Sequence, residues 1–171
     1  SDVYKRQGML AATGNVDKYV NALERSLPCM RHRGPDAAGT WHDGDAAFGF
    51  NRLSIIDLEH SHQPLRWGPE DEPDRYAMTF NGEIYNYVEL REELKGLGYT
   101  FHTEGDGEPI VVGYHHWGKD VVNHLRGMFG IVIWDTHTKT MFAARDQFGI
   151  KPLYYATTEA GTVFACLLYT S

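Results

Sequence analysis

Three consecutive polar residues, Asn81, Gly82 and Glu83, follow a short predicted strand over Tyr76 to Phe80 and precede a predicted helix. Such a strand-to-helix corner places backbone N–H groups and polar side chains where a small ligand can reach them. The Asn81 amide can donate and accept, Gly82 leaves the main chain open to a substrate, and Glu83 adds a carboxylate. A plain Asn-Gly turn is the alternative interpretation of these residues.

Two oppositely charged residues stand in settings that favour ligand binding. Arg52 lies between the strand-like segments 47–51 and 53–56. An arginine there is expected to pair with a buried carboxylate or to bind an anionic ligand. Asp106 lies in the acidic loop 103–108, which precedes a predicted helix and suits a cationic partner such as an ammonium group. The acids of that loop, with no GxxxxGKS-type or GxGxxG pattern, argue against a phosphate site.

Composition excludes several classes of protein. The 171 residues are 42% hydrophobic and carry a net charge of −7, which indicates one folded domain and argues against a nucleic-acid surface or a membrane protein. Cys29 and Cys166 have no metal-ligand spacing and are interpreted as thiols of a cytoplasmic chain, with a disulfide as the alternative. His60 and His62 lack further ligands in register, so no metal site is expected.

Strand and helix signals occur in separate blocks, which predicts an antiparallel α+β domain. Helices are predicted after Asn15, after Asn86 with Glu89 completing a capping box, and from Glu108 onwards. The residues from His60 to Asp74 are predicted as a surface loop. The predicted strands cover 8–12, 47–51, 53–56, 76–80, 99–102, 129–135, 141–145, the residues around Tyr154, and 162–165.

The two ends of the chain differ from the rest. Residues 1–7 and 166–171 show neither helical periodicity nor strand alternation, and they resemble translated adapter sequence. The expected organisation is therefore one domain over residues 8–165, incomplete at both ends, between two foreign-looking tails.

Five motifs in one order resemble the glutaminase domain of glutamine-hydrolysing asparagine synthetase, a class II glutamine amidotransferase. They are His32-Arg33-Gly34-Pro35-Asp36, Arg52 to Asp57, Gln63-Pro64-Leu65, Asn81 to Asn86, and Arg145 to Tyr154. The resemblance implies the N-terminal-nucleophile hydrolase fold. That fold is a four-layer αββα sandwich of two antiparallel sheets with helices on both outer faces.

The resemblance also implies how L-glutamine would bind. Arg52 would hold the α-carboxylate through charge-assisted hydrogen bonds, and Asp106 would receive the α-ammonium group. Glu83 would provide a further substrate contact. The segment after Arg52 would add more contacts through Leu53, Ser54, Ile55 and Ile56.

The catalytic groups follow from the same resemblance. Asn81 and the Gly82 N–H would form the oxyanion hole for the tetrahedral intermediate. The nucleophile would be an N-terminal cysteine with its own α-amine as base, but counting back four positions from Gly8 reaches Tyr4. Cys29 is internal and is interpreted as structural. The chain as it stands is therefore expected to be inactive.

The implied reaction is glutamine hydrolysis that supplies ammonia for the ATP-dependent conversion of aspartate into asparagine. No cofactor is expected in this domain, whereas ATP and Mg²⁺ would bind in a synthetase domain absent from this sequence. The expected partners are L-glutamine and that synthetase domain, without nucleic acid or membrane, and a homodimer is left open. The alternatives are another asparagine-synthetase-like class II amidotransferase, such as a β-lactam synthetase, and a non-catalytic amino-acid-binding or interaction domain.

Overall fold

The computed structural model describes residues 8–28, 37–52 and 63–166. Within them the chain forms nine strands, four α-helices and one turn of 3-10 helix. The elements in chain order are β1 (Gly8–Gly14), α1 (Val16–Ser26), β2 (Ala37–His42), β3 (Ala46–Arg52), β4 (Leu65–Trp67), β5 (Tyr76–Ile84), α2 (Tyr87–Gly96), α3 (Glu108–Trp117), the 3-10 turn (Gly118–Asp120), α4 (Val121–His124), β6 (Gly127–Asp135), β7 (Thr140–Arg145), β8 (Tyr154–Thr158) and β9 (Gly161–Ala165).

The described strands make two sheets in which every neighbouring pair is antiparallel. The larger sheet has the order β2-β3-β1-β9-β8, and the smaller has the order β4-β5-β6-β7. Three of the seven pairs, β1 with β3, β1 with β9 and β5 with β6, join segments distant in the chain, so the sheets depend on tertiary contacts. The predicted antiparallel α+β class is confirmed.

The two sheets pack face to face, and helices cover both outer faces. A core between the sheets is formed by residues from both of them: Met9, Ala11, Ala46, Phe48, Ala77, Val132, Trp134 and Cys166. Helix α1 packs Val16 and Leu23 against Ala47 on the larger sheet. Helices α2 and α3 cover the smaller sheet. The resulting order is helix, sheet, sheet, helix, which is the αββα sandwich that the resemblance implies.

Strand β6 shows why its sequence is apolar without interruption. Val132 and Trp134 contribute to the core between the sheets, whereas Ile131 and Ile133 face the helices. A strand buried on both faces needs apolar side chains at consecutive positions, since successive side chains point in opposite directions. The predicted hairpin of β6 and β7 is confirmed, as are the strands over 8–12, 47–51 and 162–165 and all three predicted helices.

Other expectations are wrong. The predicted strand over 99–102 is absent, because the Glu108 carboxylate accepts the backbone N–H groups of His102 and Thr103 and holds them in a loop. The predicted loop over 60–74 contains the short strand β4, and β2 was not predicted. Asn86 occupies the N-cap of α2 without the expected side-chain cap. Its amide instead donates to His124 O and accepts from Arg126 N.

Some expectations fall on residues that the structure does not describe. The predicted strand over 53–56, Cys29 and the His60–His62 pair lie outside the described residues. Cys166 is a buried thiol whose Sγ accepts the Met9 N–H at 3.0 Å. Among the helices that are described, none is both long enough and apolar enough to cross a bilayer.

Candidate functional site

Asn81, Gly82 and Glu83 belong to strand β5 and not to a corner. Strand β5 continues to Ile84, and its register pairs Asn81 with Gly130, Gly82 with Phe129 and Glu83 with Met128. Both sequence interpretations of this tripeptide, the strand-to-helix corner and the Asn-Gly turn, are therefore wrong. The strand extends because β6 offers backbone partners along its whole length, and α2 begins only at Tyr87.

Gly82 allows β5 and β6 to approach closely. Its φ is +146°, and a Cβ added to it would lie 1.9 Å from the carbonyl oxygen of Met128. Any side chain at this position would overlap the neighbouring main chain, and most L-residues avoid this φ. The missing side chain therefore makes room for the adjacent strand.

The hydrogen bonds of Phe129 determine where the Gly82 N–H points. The Phe129 N–H donates to Asp146 Oδ2 at 3.2 Å, and its carbonyl accepts the Asp146 N–H at 2.9 Å. Phe129 therefore directs its polar groups away from β5. In an antiparallel pair, Gly82 must then direct its own N–H and carbonyl away from β6, towards the outer edge of β5.

Two neighbours of Gly82 on this edge already have partners. The Phe80 carbonyl accepts the Gln63 Nε2–H at 3.0 Å, and the Ile84 N–H donates to Asp106 Oδ2 at 3.1 Å. Strand β4 pairs only with Tyr76–Met78, so its ladder ends before Gly82. The Gly82 N–H thus lies on the strand edge between Gln63 and Asp106.

The Asn81 side chain lies in the interior. It is 5% exposed, and within the described residues its Oδ1 has no hydrogen-bond partner. Strand alternation places it on the face of Ala77, between the two sheets. A Cβ added to its cross-strand partner Gly130 would lie 3.5 Å from Met9 Cε, so the amide lies near the start of β1. Buried amides rarely leave an acceptor unused, so the buried Oδ1 of Asn81 is unusual.

Asp106 and Glu83 are the two remaining predicted contacts near this strand, and of them Asp106 lies on the same edge of β5 as Gly82. Its half-buried carboxylate bonds Ile84, two residues along the same edge. Glu83 is exposed near the end of β5. An acidic group therefore lies on the same strand edge as the Gly82 N–H.

The backbone of Arg52 lies near the start of β1. Arg52 ends β3, and the preceding Asn51 pairs with Gly8. The end of β3, the start of β1 and the neighbourhood of Asn81 therefore occupy one end of the sandwich. Tyr4 lies outside the described residues, as do the predicted substrate contacts Leu53, Ser54, Ile55 and Ile56.

Asp146 is a supporting residue that the sequence analysis did not single out. It is 3% exposed and accepts the N–H groups of four residues: Phe129, Phe148, Ile150 and Lys151. Burial by itself would raise the pKa of Asp146, but these donors hold it below its ordinary value. The carboxylate thereby joins the loop after β7 to the residue opposite Gly82. The available signal was an acid directly after a strand, with Phe148 and Gly149 beginning two residues later.

Replacing Asp146 by asparagine is expected to destabilise the fold by about 2–3 kcal/mol at pH 7, because an NH₂ group would then face backbone donors. The lowered pKa gives this effect a definite pH dependence. The contribution is fully present above the unfolded pKa of about 4 and disappears as the pH falls through the lower folded value. Urea denaturation across this range measures the difference between the wild type and the variant.

Asp71→Asn is the matched control, since it removes an exposed carboxylate. It should change the unfolding free energy by less than about 0.5 kcal/mol. A difference between wild type and Asp146→Asn that grows on acidification would contradict the assigned role.

A cavity lies at the other end of the sandwich, where β5 begins. This open depression of about 590 Å³ is lined mainly by the β2–β3 and β6–β7 turns and the loop before β5. Its lining charges pair with one another, as in Arg75 with Glu72 at 3.2 Å and Lys139 with Asp43 at 3.8 Å. No cluster of three His, Cys, Asp or Glu side chains suited to a metal ion occurs in the described part of the chain.

Known proteins resemble this chain in sequence and in fold. A family model described as a glutamine amidotransferase domain matches residues 7–169. A putative glutamine-hydrolysing asparagine synthetase of Mycobacterium tuberculosis (strain ATCC 25618 / H37Rv) is 60% identical over 158 residues, covering 86% of this chain and 24% of the relative. Asparagine synthetase 1 of Bacillus subtilis (strain 168) is 45% identical over 156 residues, covering 91% of this chain and 24% of the relative. The chain spans about a quarter of the length of these curated relatives.

Solved structures share the fold. The allosteric regulatory enzyme of purine biosynthesis superposes with a TM-score of 0.74 at 20% identity, covering 93% of this chain and 41% of that one. Glutamine phosphoribosylpyrophosphate amidotransferase from B. subtilis gives a TM-score of 0.60 at 20% identity, covering 95% of this chain and 36% of that one. At this identity the likeness concerns the fold alone, and it agrees with the sandwich described above.

Proposed function

Because the chain belongs to the glutamine amidotransferase domain family, we propose that the outer edge of β5 is part of a site that hydrolyses the side-chain amide of L-glutamine. One observation carries the proposal. The Gly82 N–H lies on a strand edge next to the Asp106 carboxylate, and the buried Asn81 amide adjoins it in sequence. This arrangement combines donors for a developing oxyanion with an acceptor for an ammonium group.

In the proposed reaction a cysteine thiolate attacks the side-chain amide carbon. A carbon–sulfur bond forms and the carbonyl oxygen becomes an oxyanion, which Asn81 and the Gly82 N–H stabilise. The intermediate collapses as the amide nitrogen takes a proton and leaves as ammonia. Water then cleaves the thioester to glutamate and regenerates the thiol. The thiol would belong to an N-terminal cysteine at the position of Tyr4, with its α-amine as base.

Opposite charges would orient the substrate. The α-ammonium group of L-glutamine would meet Asp106, and its α-carboxylate would meet Arg52, in charge-assisted contacts. Glu83 and the segment 53–56 would complete the contacts. This assignment accounts for an acidic and a basic residue on separate elements, with the backbone of Arg52 at the end of the sandwich where Asn81 lies.

The ammonia would serve a synthetase activity outside residues 8–165. We propose that this activity converts aspartate into asparagine with ATP and Mg²⁺, since the relatives are named asparagine synthetases. The partner would be a C-terminal synthetase domain of the same polypeptide. A cytoplasmic location and a homodimer belong to the same proposal.

Restoring the nucleophile tests the proposed function. Residues 1–7 are replaced by Met-Cys-Gly and two apolar residues, so that the cysteine precedes Gly8 by four positions and becomes N-terminal once methionine is removed. Ammonia release from L-glutamine, measured with a coupled dehydrogenase, is expected for this version and not for the unmodified chain, because tyrosine is no substitute for a thiolate.

A version with alanine in place of the new cysteine is the matched control, and it should bind L-glutamine without releasing ammonia. Robust turnover by the unmodified chain would contradict the proposal. Failure of the alanine version to bind L-glutamine would contradict it equally.

A further inference from the structure

Arg91 is a buried cation on helix α2 that bonds to the loop carrying Asp106. Its residue is 6% exposed. One guanidinium nitrogen donates to Glu104 Oε2 at 2.7 Å, and the other donates to the Gly105 carbonyl at 2.7 Å. Both contacts fall on the two residues that directly precede Asp106. Arg91 therefore fixes the position of the main chain from which the Asp106 side chain extends.

The surroundings of Arg91 offset only part of the cost of burying its charge: two aromatic rings attract the guanidinium, but one of its donors has no partner among the described residues. The guanidinium lies over the rings of Tyr87 and Phe101, at 5.7 and 5.4 Å from their centroids. Its Nε is buried without a hydrogen-bond partner among the described residues. Burying a charge with an unsatisfied donor is costly, and an apolar side chain of similar length would fill the space at lower cost. Packing therefore does not explain why the position needs a guanidinium.

The loop is also held on the other side of Asp106. Glu108 accepts hydrogen bonds from the His102 and Thr103 N–H groups and from the Thr103 hydroxyl. Gly107 lies against Leu65 and Met78, since a Cβ added there would be 3.6 and 3.7 Å from their side chains. With both flanks secured, Asp106 receives the Ile84 N–H at 3.1 Å.

This arrangement links Arg91 to the candidate site. Ile84 and Gly82 lie two residues apart on the same edge of β5, so the Asp106–Ile84 bond sets where the carboxylate stands relative to the Gly82 N–H. A shift of about 1 Å in a charged contact is enough to weaken binding substantially. The position of the loop thus controls how an α-ammonium group would be received.

We propose that Arg91 is a positioning residue that sets selectivity for an α-amino group by holding Asp106 beside the outer edge of β5. The inference rests on the proposed function for the identity of the ligand, L-glutamine. Glu104, whose side chain is 94% exposed, neutralises the buried cation from the surface. The alternative is that Arg91 only stabilises the fold, in which case its loss lowers stability and leaves ligand discrimination unchanged.

The first test needs no ligand and uses the full 171-residue chain. Amide hydrogen exchange is measured by NMR at Ile84, whose N–H bonds Asp106. Arg91→Met is expected to accelerate this exchange at least about tenfold, while the amide of Ile131 inside β6 keeps its rate. Lys95→Met is the matched control, since Lys95 lies on the same helix and, among the described residues, forms its ion pair with surface Glu92. Unchanged exchange at Ile84 in Arg91→Met would overturn the proposal.

The second test measures selectivity in the version with alanine in place of the restored cysteine. Dissociation constants are determined by calorimetry for L-glutamine and for glutaramic acid, which lacks the α-amino group. Arg91→Met is expected to weaken L-glutamine about tenfold and glutaramic acid less than twofold, as Asp106→Asn should also do. Equal weakening of both ligands, or of neither, would overturn the positioning role.

Two milder variants keep the proposal falsifiable if Arg91→Met folds poorly. Arg91→Lys keeps the charge but cannot reach both partners with one planar group, and Glu104→Gln removes only the exposed partner. Both should weaken L-glutamine selectively, Arg91→Lys more strongly. If the version with alanine in place of the restored cysteine binds neither ligand, the proposed function fails, and the exchange at Ile84 still decides whether Arg91 positions Asp106.

Discussion

Replacing Asn81 by alanine is expected to lower glutamine turnover about 100- to 1,000-fold in the version with the restored cysteine, with a much smaller effect on binding. An oxyanion donor acts mainly on the transition state, since negative charge develops on the carbonyl oxygen only there. The burial of Asn81 strengthens this contribution, because few water molecules can replace the lost donor. Single-turnover kinetics with L-glutamine measure the effect of Asn81→Ala on the chemical step. The effect on binding is measured as the change in the dissociation constant when Asn81→Ala is made in the version with alanine in place of the restored cysteine.

Thr79→Val is the matched control for Asn81→Ala. Thr79 lies two residues earlier on the same face of β5 and is also buried, with no hydrogen-bond partner for its hydroxyl among the described residues. Its loss should change turnover less than threefold, about the limit expected for a group outside the reaction. If Asn81→Ala instead lost stability and kept its rate per folded molecule, Asn81 would have only a structural role.

Replacing Gly82 by alanine is expected to destabilise the fold by about 3–5 kcal/mol, which few single substitutions reach. The added methyl group would lie 1.9 Å from the Met128 carbonyl oxygen, and that oxygen belongs to the main chain of β6. Relief requires β5 and β6 to separate, which also removes apolar contacts on both faces. The φ of +146° adds strain for any L-residue. Urea denaturation of the full chain measures the effect.

Gly96→Ala is the control for this substitution. Gly96 ends helix α2 and has open space where a Cβ would stand. Alanine there should be neutral or stabilise the fold by up to about 1 kcal/mol, because it lowers the conformational entropy of the unfolded chain and favours the helix. An unfolding free energy for Gly82→Ala equal to that of the wild type would show that β5 and β6 do not approach as closely as described.

Local signals determined much of the secondary structure. The apolar stripe of α1, the run of apolar residues in β6 and the hairpin to β7 were all readable, because each depends on residues close together in the chain. The five motifs went further, since the family and the sandwich fold that they implied are both confirmed. Their roles in binding and catalysis remain predictions.

The tertiary structure decided what surrounds the candidate site. Asn81 to Glu83 continue a strand because β6, far along the chain, supplies partners, and no local pattern reveals where such pairing stops. Asp146 and Arg91 act through backbone groups, which every residue has, so composition could not show which ones they bind.

The sequence by itself therefore determined the family, the class of fold and the residue types available for chemistry. Only the tertiary structure decided which way the Gly82 N–H points. That direction follows from the register of β5 against β6 and from the hydrogen bonds that direct the polar groups of Phe129 towards Asp146. Hydrogen-bond direction in a sheet is a property of paired strands, and a single strand read in isolation does not contain it.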